Sequence, residues 1–191
     1  MKKEIYYATG NPVKFTEVKK FFEKYPEIEL KQFSEDIPEI QSDNQREIAI
    51  CKAQQAWDKL KKPVIVDDSG IFFHKYKNFP GTFTKYIYQS LGMKNLEKLY
   101  EVGDSASFEL NLVFYYAPDK YVVFEHKSQG TLVKFDEYYE DPSAPFEFTF
   151  VPKGVDKTYT QLRQLGKVDE YKYRIQVLKK FMDWYQSEES K

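Results

Sequence analysis

A single cysteine, Cys51, stands in 191 residues, so no disulfide can form within the chain, and its place on the apolar side of an expected helix suits core packing. No apolar run approaches the roughly 18 residues that a membrane-crossing helix needs. Neither sign of charge is in excess: 29 basic against 30 acidic residues leave a net charge of −1. General binders of the phosphate backbone are usually strongly basic, so nucleic acid is not an expected partner, and neither is a membrane. The chain enters Ile5-Tyr6-Tyr7 almost at once, leaving no room for a signal peptide, and a cytoplasmic protein is expected. Only two histidines occur, His74 and His126, and neither has a Cys or His at metal-binding spacing. Walker A and Gly-x-Ser-x-Gly patterns are absent as well.

Aromatic residues, by contrast, are plentiful, with 16 Tyr and 16 Phe. Many of the tyrosines are expected at partly wet positions, because a buried hydroxyl needs a partner. Hydrophobic residues make up 41%, enough for a core. The length fits one domain, 1–191, or one domain in two lobes.

Periodicity predicts a strand over 5–8, a Gly turn, and a helix over 12–24 whose first turn holds Pro12. A second strand is expected over 29–33 and a turn-rich stretch over 34–42. Ile48, Cys51, Ala53, Ala56 and Leu60 give 45–60 the apolar side of a helix. A buried strand over 63–66 is expected to stop at two aspartates. Helices follow over 82–91 and 95–101, a hairpin over 108–116 and 120–129 around Ala117-Pro118-Asp119, and a strand over 131–135. A loop over 141–145 and helices over 159–165 and 170–187 complete a mixed α/β pattern without internal repeat or linker.

Four segments carry polar groups in patterns that suit phosphate or metal. Thr9-Gly10-Asn11-x-x-Lys14 joins a strand to a helix, where free backbone N–H groups bind anions. A hydroxyl, an amide and an ammonium add the donors that phosphates require; by itself the motif is weak, and a plain turn with Asn11 as helix cap is the commoner reading. Asp67-Asp68-Ser69-Gly70 ends an apolar strand. Its two acids cannot both enter the core, since neighbouring strand residues face opposite ways. Carboxylates there suit Mg²⁺ and the activation of water, and a solvated turn with Asp68 as cap is the other option. Glu47 opens a helix as a metal carboxylate or as a charge that favours the helix dipole. Lys52, five residues on, points to a different side of that helix. Phe79-Pro80-Gly81 turns into a helix with Lys85 in its first turn, where a cation is unfavourable unless an anion lies nearby.

Together these segments resemble the inosine triphosphate pyrophosphatase family, which hydrolyses non-standard purine nucleoside triphosphates. The matching pieces are Thr9-Gly10-Asn11-x-x-Lys14 with Glu17, Ile37-Pro38-Glu39-Ile40-Gln41, Glu47 with Lys52-Ala53, Val66-Asp67-Asp68-Ser69-Gly70, Phe79-Pro80-Gly81, Gly130-Thr131, and Phe150-x-Pro152-x-Gly154 leading to Lys157-Thr158-Tyr159. They keep the family's order and spacing over nearly the whole chain. The resemblance implies a two-lobed α/β fold with a long central mixed sheet flanked by helices, a cleft between the lobes, and a homodimer. It implies Mg²⁺, or Mn²⁺ in its place, and attack of water on a triphosphate to give pyrophosphate and a monophosphate. It implies that Thr9, Asn11 and Lys14 hold phosphates, that Glu47 and Asp68 bind the metal, and that Asp67 or Asp68 activates water. Lys52, Ser69 and Lys85 complete the phosphate end.

The departures lie where the family reads the base. Its Phe-Gly-aromatic-Asp-Pro becomes Ala144-Pro145-Phe146-Glu147-Phe148, and its Ser-His-Arg becomes Lys172-Tyr173-Arg174. The nearest match to a preceding family lysine, Lys167, is one residue out of register. Phe146, Glu147, Lys167, Tyr173 and Arg174 are thus the expected base-contacting residues. A site built for one hydrogen-bonding edge rejects analogues lacking it, so base preference is expected either to follow the family (ITP, dITP, XTP) or to shift toward another modified or a standard base. A nucleotide-binding paralogue without catalysis is the further alternative.

Overall fold

A computed structural model describes residues 2–189. Six strands form one mixed sheet: β1 (Lys3–Ala8), β2 (Ile28–Phe33), β3 (Val64–Phe73), β4 (Ser105–Ala117), β5 (Lys120–Leu132) and β6 (Phe150–Pro152), hydrogen-bonded in the order β2-β1-β3-β4-β5-β6. The helices are α1 (Pro12–Phe22), α2 (Gln45–Leu60), α3 (Thr84–Leu91), α4 (Met93–Leu96), α5 (Tyr159–Gln164) and α6 (Tyr173–Glu189). β1 runs parallel to β2, with Ala8 opposite Phe33, and parallel to β3, with Tyr7 opposite Ile65. β5 and β6 are antiparallel. None of the described helices is long and apolar enough to cross a membrane.

The structure changes several expected boundaries. β3 does not stop at the aspartates but runs through Asp67, Asp68, Ser69 and Gly70 to Phe73. The strand expected over 131–135 is the end of β5, which closes at Leu132, and a short strand not foreseen, β6, pairs with it. The helix expected over 95–101 is α4 followed by a 3-10 turn over 97–99. The last helix begins at Tyr173, after a separate 3-10 turn over 168–170.

The chain divides into two compact units, 1–68 with 111–125 and 177–191, and 69–110 with 126–176. In the first, Ala49, Ala53 and Ala56 form a small-residue face of α2. It packs with Ala8, Phe33, Val64, Val66, Val113 and Tyr115. Small side chains let the helix approach the sheet closely, and the β-branched valines fill the pleats. Phe181 of α6 meets Phe22 of α1 at 6.2 Å and Phe114 at 5.0 Å, building a second, aromatic layer. In the second unit Phe108, Phe150, Tyr159 and Tyr173 form a nearly dry aromatic cluster. Here Gly70 is required: a Cβ would stand 2.2 Å from the carbonyl oxygen of Gly81, itself at φ +57°. That close approach holds the Pro80-Gly81 turn beside β3, and Thr84 Oγ1 fixes it by accepting from Ile71 N at 3.0 Å and donating to Gly81 O at 2.6 Å.

Candidate active site

In the first unit the turn after β1 is organised by its own side chains. Thr9 Oγ1 accepts from Asn11 N at 3.1 Å. Asn11 Oδ1 caps α1, accepting from Val13 N at 2.9 Å and Lys14 N at 3.2 Å, with Pro12 in the first turn. The cap aims Lys14, one turn into the helix, at β3. Its Nζ bonds Asp67 Oδ1 at 2.8 Å, while Tyr7 OH donates to Asp67 Oδ2 at 2.9 Å.

Alternation along β3 sends the two aspartates to opposite faces, as the sequence required. Asp67 shares the face of Ile65 and Tyr7 and is buried with both oxygens bonded. Asp68 follows Val64 and Val66 onto the α2 face. Its Oδ2 is buried and has no hydrogen-bond partner among the described residues. Burial pushes the Asp68 carboxyl up to about 6, against the pull of Lys14 and Lys52 and with help from the charges of Glu39 and Asp67. The pair is therefore differentiated: Asp67 is a fixed structural anion and Asp68 an uncommitted one.

Lys52, on the α2 face toward Asp68, bonds Glu39 Oε1 at 2.7 Å. Burial alone would lower its pKa, but the carboxylates of Glu39, Asp68 and Asp67 hold it above the ordinary lysine value, so it stays charged. Glu39 is the carboxylate that sequence reasoning left without a role. Its signal was present in the matched Ile37-Pro38-Glu39-Ile40-Gln41 segment, and the structure brings its charge within reach of Asp68. Glu47 lies exposed in the first turn of α2, accepting from Ser42 Oγ at 2.8 Å.

The second unit holds the other expected residues. Arg174 is buried and lies 3.5 Å from Ser69 Oγ. Lys85 is exposed in the first turn of α3. Glu147 is buried between Lys172 Nζ and Arg163 Nη2, the latter at 2.5 Å. Burial raises its carboxyl, but the two cations outweigh that and hold it below the usual carboxylate range. Lys172 exposes none of its side chain, and its Nζ lies 4.4 Å from the Tyr173 ring centroid and 5.0 Å from that of Tyr159. Lys167, by contrast, is exposed. The buried lysine opposite Glu147 is thus Lys172, a position that matching in register could not single out. Tyr173 stacks on Phe108, with centroids 4.8 Å apart and planes 9° from parallel. Phe146 is fully buried with φ +68° and meets Phe73 and Tyr88 edge to face. Both rings serve the aromatic core of this unit.

The Ham1 family model matches residues 5–184. The chain is 31% identical to the dITP/XTP pyrophosphatase of Methanopyrus kandleri over 186 residues, covering 96% of this chain and 97% of that one. It is 32% identical to inosine triphosphate pyrophosphatase 2 of Trypanosoma cruzi over 171 residues, 88% of this chain and 83% of that one. The Ham1 protein of Staphylococcus aureus has the same fold, with a TM-score of 0.79 at 24% identity over 97% of this chain and all of that one.

Proposed function

The chain belongs to the Ham1 family, and we propose that it is a Mg²⁺-dependent pyrophosphatase that cleaves ITP, dITP and XTP to the monophosphate and pyrophosphate. The observation that carries this is the state of Asp68: a carboxylate oxygen buried without a partner, flanked by Lys14 and Lys52. The donor set suits a hard divalent cation, since it offers carboxylate oxygens and no sulfur or imidazole. Asp68 and Glu39 would hold the ion; Glu47, expected as a ligand, is instead exposed on another side of α2 and bonded to Ser42. Bound there, Mg²⁺ would neutralise phosphate charge and polarise the phosphoryl oxygens.

The protein's own groups do the rest. Thr9 and Lys52 bind and orient the triphosphate. Lys14 adds charge while bonded to Asp67. Asp68 accepts a proton from water as its oxygen attacks phosphorus. Cations already in place at the developing charge need no reorganisation during the step, which is where most of their catalytic value lies.

Glu147 and Lys172 are spent on each other as a buried ion pair, and Arg174 is the expected base-reading residue that is left. One observation favours a shifted base preference as the second alternative: Tyr173, in place of the family's His, is packed on Phe108 and presents no free edge. The test is pyrophosphate release with Mg²⁺ across inosine, xanthosine, standard and base-modified triphosphates, in ribo and deoxy forms. Selective turnover of ITP, dITP and XTP is expected. Turnover centred on another base would support the shifted preference, and none from any triphosphate would refute the proposal.

A further inference from the structure

Gln45 opens α2 and Asn111 lies on β4, and each is more than nine-tenths buried. Asn111 Nδ2 donates to Gln45 Oε1 at 2.9 Å. One such bond between two primary amides leaves a surplus. Gln45 Nε2 and Asn111 Oδ1 are buried and have no hydrogen-bond partner among the described residues. Turning both amides over exchanges giver and taker but leaves the same surplus of one donor and one acceptor. An apolar pair would fill this place without such a penalty, so the surplus calls for a polar ligand.

The place of the pair says what that ligand is. Three apolar runs meet in the core: Val64 and Val66 of β3, Val113 and Tyr115 of β4, and Ala49, Ala53 and Ala56 of α2. On each element the next residue of the same face is polar: Asp68, Asn111 and Gln45. Lys52, seven residues after Gln45 and so on its helical face, acts electrostatically on Asp68. The unpartnered Oδ2 of Asp68 thus belongs to the same polar edge as the two orphaned amide atoms.

We propose that Gln45 and Asn111 position the attacking water of the hydrolysis beside Asp68, an inference that rests on the triphosphate chemistry proposed above. One N–H donor and two acceptor oxygens are the complement of a single water, which gives two O–H bonds and takes one N–H on a lone pair. The second lone pair is left for attack. Its oxygen bonds the α-phosphorus as the bridging P–O bond breaks, and that electron pair leaves on pyrophosphate. One water proton passes to the Asp68 carboxylate. The Asn111 carbonyl holds the other, and the Gln45 N–H fixes the direction of approach. Both amides are positioning residues.

The test is Gln45→Met, Asn111→Leu and the double variant, assayed for pyrophosphate release from the triphosphate the parent turns over best, alongside thermal unfolding. Misplacing a reacting atom by about 1 Å can cost about a hundredfold. Each single variant should therefore lose about tenfold to a hundredfold in kcat, with KM within about twofold. The double variant should unfold no earlier than the parent, because both orphaned atoms are gone. A purely structural pair predicts the reverse: earlier unfolding with kcat per folded molecule unchanged. Should the double variant fail to fold, Gln45→Glu decides. It keeps the shape, removes the donor, and places an acid at a helix N-terminus that tolerates one; full kcat in that variant overturns the proposal. A parent inactive on every triphosphate would instead refute the proposed function itself, whereas an active parent with unaffected variants would refute only the water-positioning role.

Discussion

Lys172→Met removes the charge but keeps much of the volume of a side chain that exposes no surface. Its loss leaves Glu147 buried beside Arg163. Breaking a buried pair by deleting one member typically costs about 3–5 kcal/mol, because the other charge stays desolvated. Arg163 offsets little of this: its side chain is 42% exposed, and solvent-screened pairs are worth about 0–1 kcal/mol. A cost near the lower bound, about 3 kcal/mol, follows, or a fall of about 6–12 °C in unfolding midpoint for a chain of this size. The pH dependence gives a second check. Glu147 is held below its ordinary value in the fold, so it stabilises above its unfolded pKa, near about 4.3, and that contribution is lost as pH falls through the folded value. The gap between parent and variant should be widest near neutrality and should close in acid. Lys172→Met with Glu147→Gln should be less destabilised than Lys172→Met alone. Thermal unfolding followed by circular dichroism measures all three. A fall under about 1 kcal/mol, equal at every pH, would refute the assignment of Glu147 and Lys172 as a buried, mutually dependent pair.

Two further outcomes follow from the same geometry. Asp68 is raised to about 6, so its buried charge costs stability as pH rises through that value and costs nothing below the unfolded carboxylate pKa. Metal-free Asp68→Asn should therefore be more stable than the parent by about 2 kcal/mol at pH 7, the difference vanishing toward pH 4, while turnover falls about a hundredfold or more; urea unfolding across pH, with a pyrophosphate assay, checks both. Tyr173→His removes a ring stacked on Phe108 and lying under Lys172, and should cost about 2 kcal/mol in a melting experiment. A variant that changes base preference with an unchanged melting midpoint would show that Tyr173 faces the substrate.

Much of this molecule is decided by short-range rules. The Gly turn, Pro12 and the Asn11 cap define the start of α1 locally, and the alanines of α2 mark its packed face at helical spacing. Strand alternation alone requires that Asp67 and Asp68 part company. What the sequence could not say is which aspartate is spent and which is left, because that depends on partners brought from far along the chain: Tyr7, 60 residues away, and Lys14, 53 away. Likewise β3 outruns the expected turn at Asp67 and continues to Phe73. Glu39 lies in an irregular stretch whose local pattern gives it no task until Lys52 and Asp68 come near. Lys172 and Lys167 are equivalent as letters, and burial against Glu147 separates them. Periodicity reports how each segment turns its faces, but charge pairing and desolvation act through space, so only the folded chain decides which polar groups are satisfied and which remain available for chemistry.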